Sequence, residues 1–131
     1  MRHAEQLVFK ASRGVQTAPF DFSGRWKNEL QSTMELLVAG STVTGKYVSA
    51  VSDNGGPTPP FDLFGSVSGE LITFYVNWGT EITTWIGHVV NADTSPEILT
   101  LWHIVKAVPD EDDPTNQWKM ISSGADNFTR A

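Results

Sequence analysis

The chain has 131 residues, a net charge of −6 and a pI of about 4.8, with 9 Lys and Arg against 15 Asp and Glu. A single domain of this length buries about two-thirds of its unfolded surface, enough for a real core. The scattered basic residues exclude the charge footprint of nucleic-acid binding and any polybasic membrane patch, and the lack of cysteine excludes disulfides and thiolate chemistry.

The segment MRHAEQLVFKASRGVQTAPF (1–20) lacks the apolar run of ~7–15 residues that a signal peptide needs. It reads as a poorly ordered arm or an appended remnant, with the domain proper over 21–131; a signal removed beforehand is compatible with this. From Phe22 onward the chain reads as short strands with alternating side chains, at 23–30, 32–39, 42–51, 61–67, 70–78, 81–91, 97–107 and 117–124. Tight breaks fall near Gln31, at Ala39-Gly40-Ser41 and at Ser68-Gly69. DNGGPTPP (53–60) and the acidic AVPDEDDPTN (107–116) are longer loops, because Pro and Gly do not sit in a central ladder. No segment has a helical period, and no apolar stretch reaches the ~20 residues of a membrane span. The chain is predicted to be all-β: short strands joined in sequence imply an up-and-down barrel or a sandwich.

Alternation assigns side chains to faces. On the first strand Trp26, Asn28 and Leu30 oppose the charged Arg25, Lys27 and Glu29, so the Trp-Asn set points inward. Ser32, Met34, Leu36 and Val38 share a face on the second strand, and Tyr47, Ser49 and Val51 oppose Lys46 on the third. Phe74, Val76 and Trp78 align on the fifth, Thr83, Trp85 and Gly87 on the sixth, and Ile98, Thr100, Trp102 and Ile104 on the seventh. The outward face of the seventh strand reads Leu99, Leu101, His103, Val105, and with Ile82 and Ile86 forms an apolar patch of the kind that marks subunit contacts.

One inward set therefore gathers Asn28, Ser32, Tyr47, Ser49, Thr83 and Trp85, with Trp78, Trp102 and Phe74 on facing strands and Asp126 near the last strand. Buried polar groups without partners cost ~1–3 kcal/mol each, so such a set calls for a ligand or ordered water. Aromatic walls with short polar side chains suit a compact, flat, uncharged ligand with one strong acceptor and flanking donors, which describes a cyclic urea. No His-x-His or mixed His/carboxylate spacing points to a metal, and no G-x-S-x-G elbow is present. His88 and His103 fall on outward faces, and His3 lies in the arm.

The segments GRWKNELQSTM (24–34), TGKYVSAV (44–51), VNW with TTWIG (76–78 and 83–87), ILTLWHI (98–104) and QWK with GADNFTR (117–119 and 124–130) stand in an order that resembles the avidin–streptavidin family. The resemblance spans roughly residues 22–130 and implies an eight-stranded antiparallel up-and-down barrel with a biotin site at its open end and no enzymatic activity. It implies that Asn28, Ser32 and Tyr47 donate to the ureido oxygen and that Ser49 and Asp126 accept from the ureido N–H groups. It further implies that Thr83 faces the thioether sulfur and that Trp78, Trp85 and Trp102 wall the ring and chain, with Phe74 as a further aromatic. Trp118 resembles the tryptophan that one subunit lends to its neighbour's site. The implied assembly is a homotetramer, with a dimer or larger assembly as alternatives; the implied location is secreted or periplasmic. Biotin is then a ligand, with no cofactor, nucleic acid or membrane partner. Two features depart from the family. The stretch between Trp78 and Thr83 is only GTEI, with Glu81 where a hydroxyl toward the ligand carboxylate is common, and the N-terminal arm has no family counterpart. The loop 52–60, with Asp53 and Asn54, is left to hold that carboxylate through backbone N–H groups.

Plainer readings stand beside these. Trp26 reads as core packing at a closed barrel end. Asn28 and Ser32 are also suited to closing a turn near Gln31, Tyr47 to an exposed strand position, Asp126 to capping a turn and Trp118 to covering its own barrel mouth. A barrel lectin or carrier for another small neutral ligand is the main rival. An enzyme using Asp126 or Glu81 as base is a weaker one, since no paired acid and base accompany them.

Overall fold

The computed structural model describes residues 19–52, 55–107 and 121–131. Its strands are β1 (Gly24–Lys27), β2 (Thr33–Ala39), β3 (Thr42–Val48), β4 (Phe61–Ser68), β5 (Leu71–Asn77), β6 (Glu81–Val90), β7 (Glu97–Lys106) and β8 (Ile121–Arg130). Each pairs antiparallel with the next, and β1 returns to β8 through Trp26↔Arg130 and Lys27↔Thr129, closing the sheet into a barrel. Closure removes exposed sheet edges, which is why an alternating chain without helices can stand as one layer around its own core. The β2–β3 hairpin turns in two residues because Gly40 adopts a φ of 63°, a left-handed conformation that matches the twist of the flanking strands.

The inward set is the core. Met34, Leu36, Val43, Leu63, Ile72, Phe74, Val76, Val89, Ile98 and Phe128 are all buried. One end is plugged: Trp26 is fully buried and donates its indole N–H to the carbonyl of Phe22 at 2.9 Å. The Arg130 guanidinium lies 4.0 Å from the centre of the Trp26 ring and donates to the carbonyls of Ser23 and Asp21. Of the arm expected over 1–20, residues 1–18 lie outside the described residues; Phe20 packs edge-on against Phe22 and belongs to the plug.

Three expectations need correction. The last strand continues to Arg130, past the expected end at 124, while 117–120 lie outside the described residues; the sequence ISSGADNFTR is poor in β-branched residues, so propensity alone hides it. The first strand stops at Lys27 because the Asn28 side chain captures the N–H groups of Leu30 and Ser32 and bends the chain into a turn, with Gln31 at a φ of 70°. Leu30 is therefore not an inward strand residue; it is 63% exposed at the rim. Val51 is likewise exposed, since β3 ends at Val48 and the Ser49 hydroxyl turns back onto the Val51 backbone.

Most of the outward apolar face is exposed, with Leu99 half-buried. Ile82 pairs with Val105 and Ile86 with Leu101, all four exposed, and the exposed Phe64 and Tyr75 rings meet 5.8 Å apart farther along the same outer surface. His88 and His103 are exposed on the outer side.

Candidate ligand-binding site

At the end opposite the plug, the barrel opens into a cavity of about 450 Å³. The turn after β1 supplies its first polar group. Asn28 Oδ1 accepts from the backbone N–H groups of Leu30 and Ser32, each at 3.0 Å. Two N–H donors on one atom identify that atom as oxygen, so the amide NH2 of Asn28 is the end left for the cavity. Turn closure and ligand donation are thus two ends of one side chain.

Ser32 and Tyr47 follow from the alternation of β2 and β3. Ser32 Oγ accepts from the N–H of Ala50 at 2.9 Å, which leaves its proton to donate, and the hydroxyl bonds the Tyr47 phenol. Burial, reinforced by the charge of Asp126, raises the Tyr47 phenol far above its ordinary value and keeps it a neutral donor. Asn28, Ser32 and Tyr47 are each no more than 5% exposed. Ser49 differs in kind: its hydroxyl donates to the carbonyl of Val51 at 2.8 Å, so toward the cavity it presents a lone pair. The Ser49 backbone is tied to Thr58 by reciprocal bonds, which brace the loop after β3.

Asp126 on β8 is a half-buried acceptor. Its Oδ2 accepts from the Trp85 indole N–H at 2.9 Å, and its backbone carbonyl accepts from the Thr100 hydroxyl at 2.8 Å. Burial is the main influence on its carboxyl and raises its pKa; the Trp85 N–H opposes this, the charge of Glu29 adds to it, and the Asn28 amide opposes it. Glu29 Oε1 accepts from the N–H of Asn127 at 2.7 Å, tying the turn after β1 to β8 beside this acid.

The walls are aromatic. Trp85 is sandwiched between Tyr47 and Phe74, with ring centres 5.0 Å away on each side. Trp78 donates its indole N–H to Thr83 Oγ1 at 2.8 Å, which leaves the Thr83 hydroxyl proton available. Phe61 meets Trp78 edge-on at 4.9 Å. Trp102 lines the cavity from β7.

Of the residues expected at the site, Asn28, Ser32, Tyr47, Ser49, Trp78, Thr83, Trp85, Trp102 and Asp126 are brought together around the cavity. Phase and the family resemblance put Phe74 there, and this is corrected: it is buried behind Trp85 and does not line the cavity, because the Trp85 indole is interposed. Asp53, Asn54 and Trp118 lie outside the described residues. The sequence reading omitted Phe61, although Phe61 and Leu63 alternate inward on β4 as the other strands do. It also omitted Thr58 and Ile104 as lining residues, and Glu81, noted only as a departure, lines the cavity too.

The arrangement is an open-ended antiparallel barrel in which fixed donors, a carboxylate and stacked indoles converge on a compact ligand: the architecture of a small-molecule binding protein. The avidin family model matches residues 16–131. Afifavidin of Afifella pfennigii is 30% identical over 114 residues, covering 82% of this chain and 67% of that protein. Avidin-related protein 4/5 of Gallus gallus is 32% identical over 117 residues, covering 82% of this chain and 76% of its own. The rhizavidin–biotin complex superposes with a TM-score of 0.69 at 28% identity, covering 83% of this chain and 99% of rhizavidin. The chain belongs to the avidin family, whose members are non-enzymatic proteins that hold biotin as a ligand and not as a cofactor.

Proposed function

We propose that this protein binds biotin non-covalently in the open end of the barrel. The observation that carries the reading is the polarity of the cavity floor: Asn28, Ser32 and Tyr47 bring N–H and O–H groups to it, while Ser49 and Asp126 offer acceptors beside them. A cyclic urea presents the complement, one strong acceptor oxygen flanked by two N–H groups. Donation by Asn28, Ser32 and Tyr47 polarises the ureido oxygen, acceptance by Ser49 and Asp126 draws charge through the ring, and the two sets strengthen each other. Thr83 faces the sulfur, Trp78, Trp85 and Trp102 enclose ring and chain, and Trp118 of a neighbouring subunit completes the enclosure.

Burying ~250 Å² of apolar ligand surface at ~25 cal/mol per Å² contributes about 6 kcal/mol, and five hydrogen bonds at ~1.5 kcal/mol each add about 7. Subtracting ~4 kcal/mol for lost translational and rotational freedom leaves a Kd below ~1 µM, before cooperativity among the bonds. A thermal melt with biotin at ~1,000 times Kd is expected to gain about 4 kcal/mol, a rise of roughly 10–20 °C in Tm. An unchanged melt with biotin, beside a shift with a sugar, would replace this reading with that of a lectin-type carrier.

The assembly proposed is a homotetramer, supported by the exposed Ile82, Ile86, Leu101 and Val105 on one outer face. A sedimentation mass of a monomer at micromolar concentration would overturn it. Secretion is proposed on family grounds alone; among the described residues, no helix is long and apolar enough to cross a membrane.

A further inference from the structure

The mouth of the cavity has a charge that the floor does not require. Among the described residues that line the cavity, the carboxylates are Asp126, bonded to the Trp85 indole, and Glu81 at the rim, and no Lys or Arg lines it. Asp126 already has a task, as acceptor for N–H groups. Glu81 has none in the proposed contacts with the ureido ring. Its side chain is 32% exposed, against at most 5% exposure for the donors at the floor, so it sits toward solvent, where a ligand's tail leaves the barrel.

Glu81 is also held there. The connection from β5 to β6 is a tight hairpin. Asn77 pairs with Ile82, the Trp78 N–H donates to the Glu81 carbonyl at 2.8 Å, and Asn77 Oδ1 accepts from the N–H of Gly79 at 2.9 Å. The Thr80 carbonyl accepts from the N–H of Ala107, which ties the turn to the end of β7. The backbone beneath Glu81 is therefore fixed at the rim, and the carboxylate can move only by rotation of its own side chain. Its cross-strand partner Lys106 approaches to 3.9 Å and is 52% exposed, a long and solvated ion pair that neutralises little of the charge.

Resting on the biotin reading above, we infer that Glu81 makes this mouth selective for biotin whose carboxyl is masked as an amide, above all an amide to a lysine amine, over free biotin. With the ureido ring at the floor, the valeryl chain brings its terminal group to the rim. A free carboxylate there meets a fixed like charge in a partly desolvated opening. An amide carries no charge, and it offers an N–H donor to Glu81. An adjacent ammonium or peptide dipole is then attracted. A pair of like charges several ångströms apart in this setting is expected to favour biotinamide over free biotin by about tenfold at low salt. The ratio is expected to shrink as salt rises, because the screening length falls from ~10 Å at 0.1 M to ~3 Å at 1 M.

The experiment is competition binding of free biotin, biotinamide and Nε-biotinyl-lysine amide, at about 20 mM and about 1 M NaCl, to the intact protein and to Glu81→Gln. The expected result is the order lysine amide, biotinamide, free biotin in the intact protein. The spread is expected to collapse at high salt and in Glu81→Gln, mainly through tighter binding of free biotin. Lys106→Ala, which removes only a long, solvated counter-charge, is expected to widen the spread only slightly. Equal affinities of free biotin and biotinamide at low salt, or a ratio that survives Glu81→Gln, would overturn the role of Glu81 while leaving biotin binding intact. Failure of all three ligands to bind the intact protein would remove the biotin reading and this inference with it.

Discussion

Asp126→Asn separates the jobs done by one carboxylate. Asparagine is nearly isosteric, and its Oδ1 can still accept the Trp85 indole N–H that now reaches Asp126 at 2.9 Å. The sandwich of Tyr47, Trp85 and Phe74 is therefore expected to survive. The other position of the acid changes from an acceptor to an NH2 donor and faces the ligand's N–H. A lost charge-assisted hydrogen bond costs ~1.5–3 kcal/mol, which predicts binding roughly 10–150-fold weaker, expressed mainly as faster dissociation. The pH dependence sharpens the test. Burial raises the folded-state pKa of Asp126 above its unfolded value, so its ionised form is disfavoured in the free barrel. Free-protein stability from this group is thus greatest below the unfolded value and is lost as pH rises through the raised one. Biotin affinity runs the opposite way, because accepting the Trp85 N–H and a ligand N–H together needs the ionised form: it is expected to weaken as pH falls through the raised pKa. Asp126→Asn is expected to lose both trends at once. The assay is biotin dissociation by stopped flow, with melts of the free protein, from pH 3 to 8. A dissociation rate within twofold of the parent at neutral pH, with Tm unchanged, would refute the acceptor role.

Three further substitutions test other parts of the barrel. Phe74→Ala removes a fully buried ring from behind Trp85 and is expected to destabilise by ~3–5 kcal/mol, with weaker biotin binding as Trp85 loses its backing; urea unfolding and titration read the two effects. Gly124→Ala places a Cβ 2.4 Å from Trp102 Cζ2, a clash with a side chain and not with backbone, so the barrel is expected to fold while Trp102 tilts, its fluorescence shifts and biotin leaves faster. Arg130→Ala removes the cation over Trp26 and two bonds to the Ser23 and Asp21 carbonyls. It is expected to cost ~1–3 kcal/mol in urea unfolding and leave biotin dissociation unchanged, because it acts at the opposite end of the barrel.

What the sequence disclosed followed from one physical regularity. A strand half in water must alternate, so Trp26, Met34, Tyr47, Phe74, Trp85 and Ile98 declare their face by their neighbours. The regularity fails where the chain leaves the ladder. Leu30 and Val51 keep the inward phase but lie beyond strand ends set by side-chain capture of backbone, at Asn28 and Ser49, and phase does not encode such capture. Phe74 shows a different limit. Its face was legible, but whether it or Trp85 forms the cavity surface depends on ring stacking in the third dimension. β8 was misplaced because SSGAD reads as turn in isolation; pairing with the strongly alternating β7 makes it strand. At the site, residue types and order were legible, and the family resemblance implied the division into donors and acceptors, but alternation alone does not show what produces it. That division depends on which end of Asn28 the turn consumes and where the Ser49 proton goes.

The seam between β1 and β8 is the shortest pairing in the barrel, held by two residue pairs. Asn28 follows β1 directly and Asp126 lies within β8, so a ligand seated between them works as a clasp across the join. A chain still emerging from the ribosome has no such clasp, since Asp126 arrives only with the last strand. Binding and ring closure thus become one event, and release of the ligand is favoured by whatever loosens the hoop. Amide hydrogen exchange at Trp26, Lys27, Thr129 and Arg130 is where an occupied barrel should differ most from an empty one.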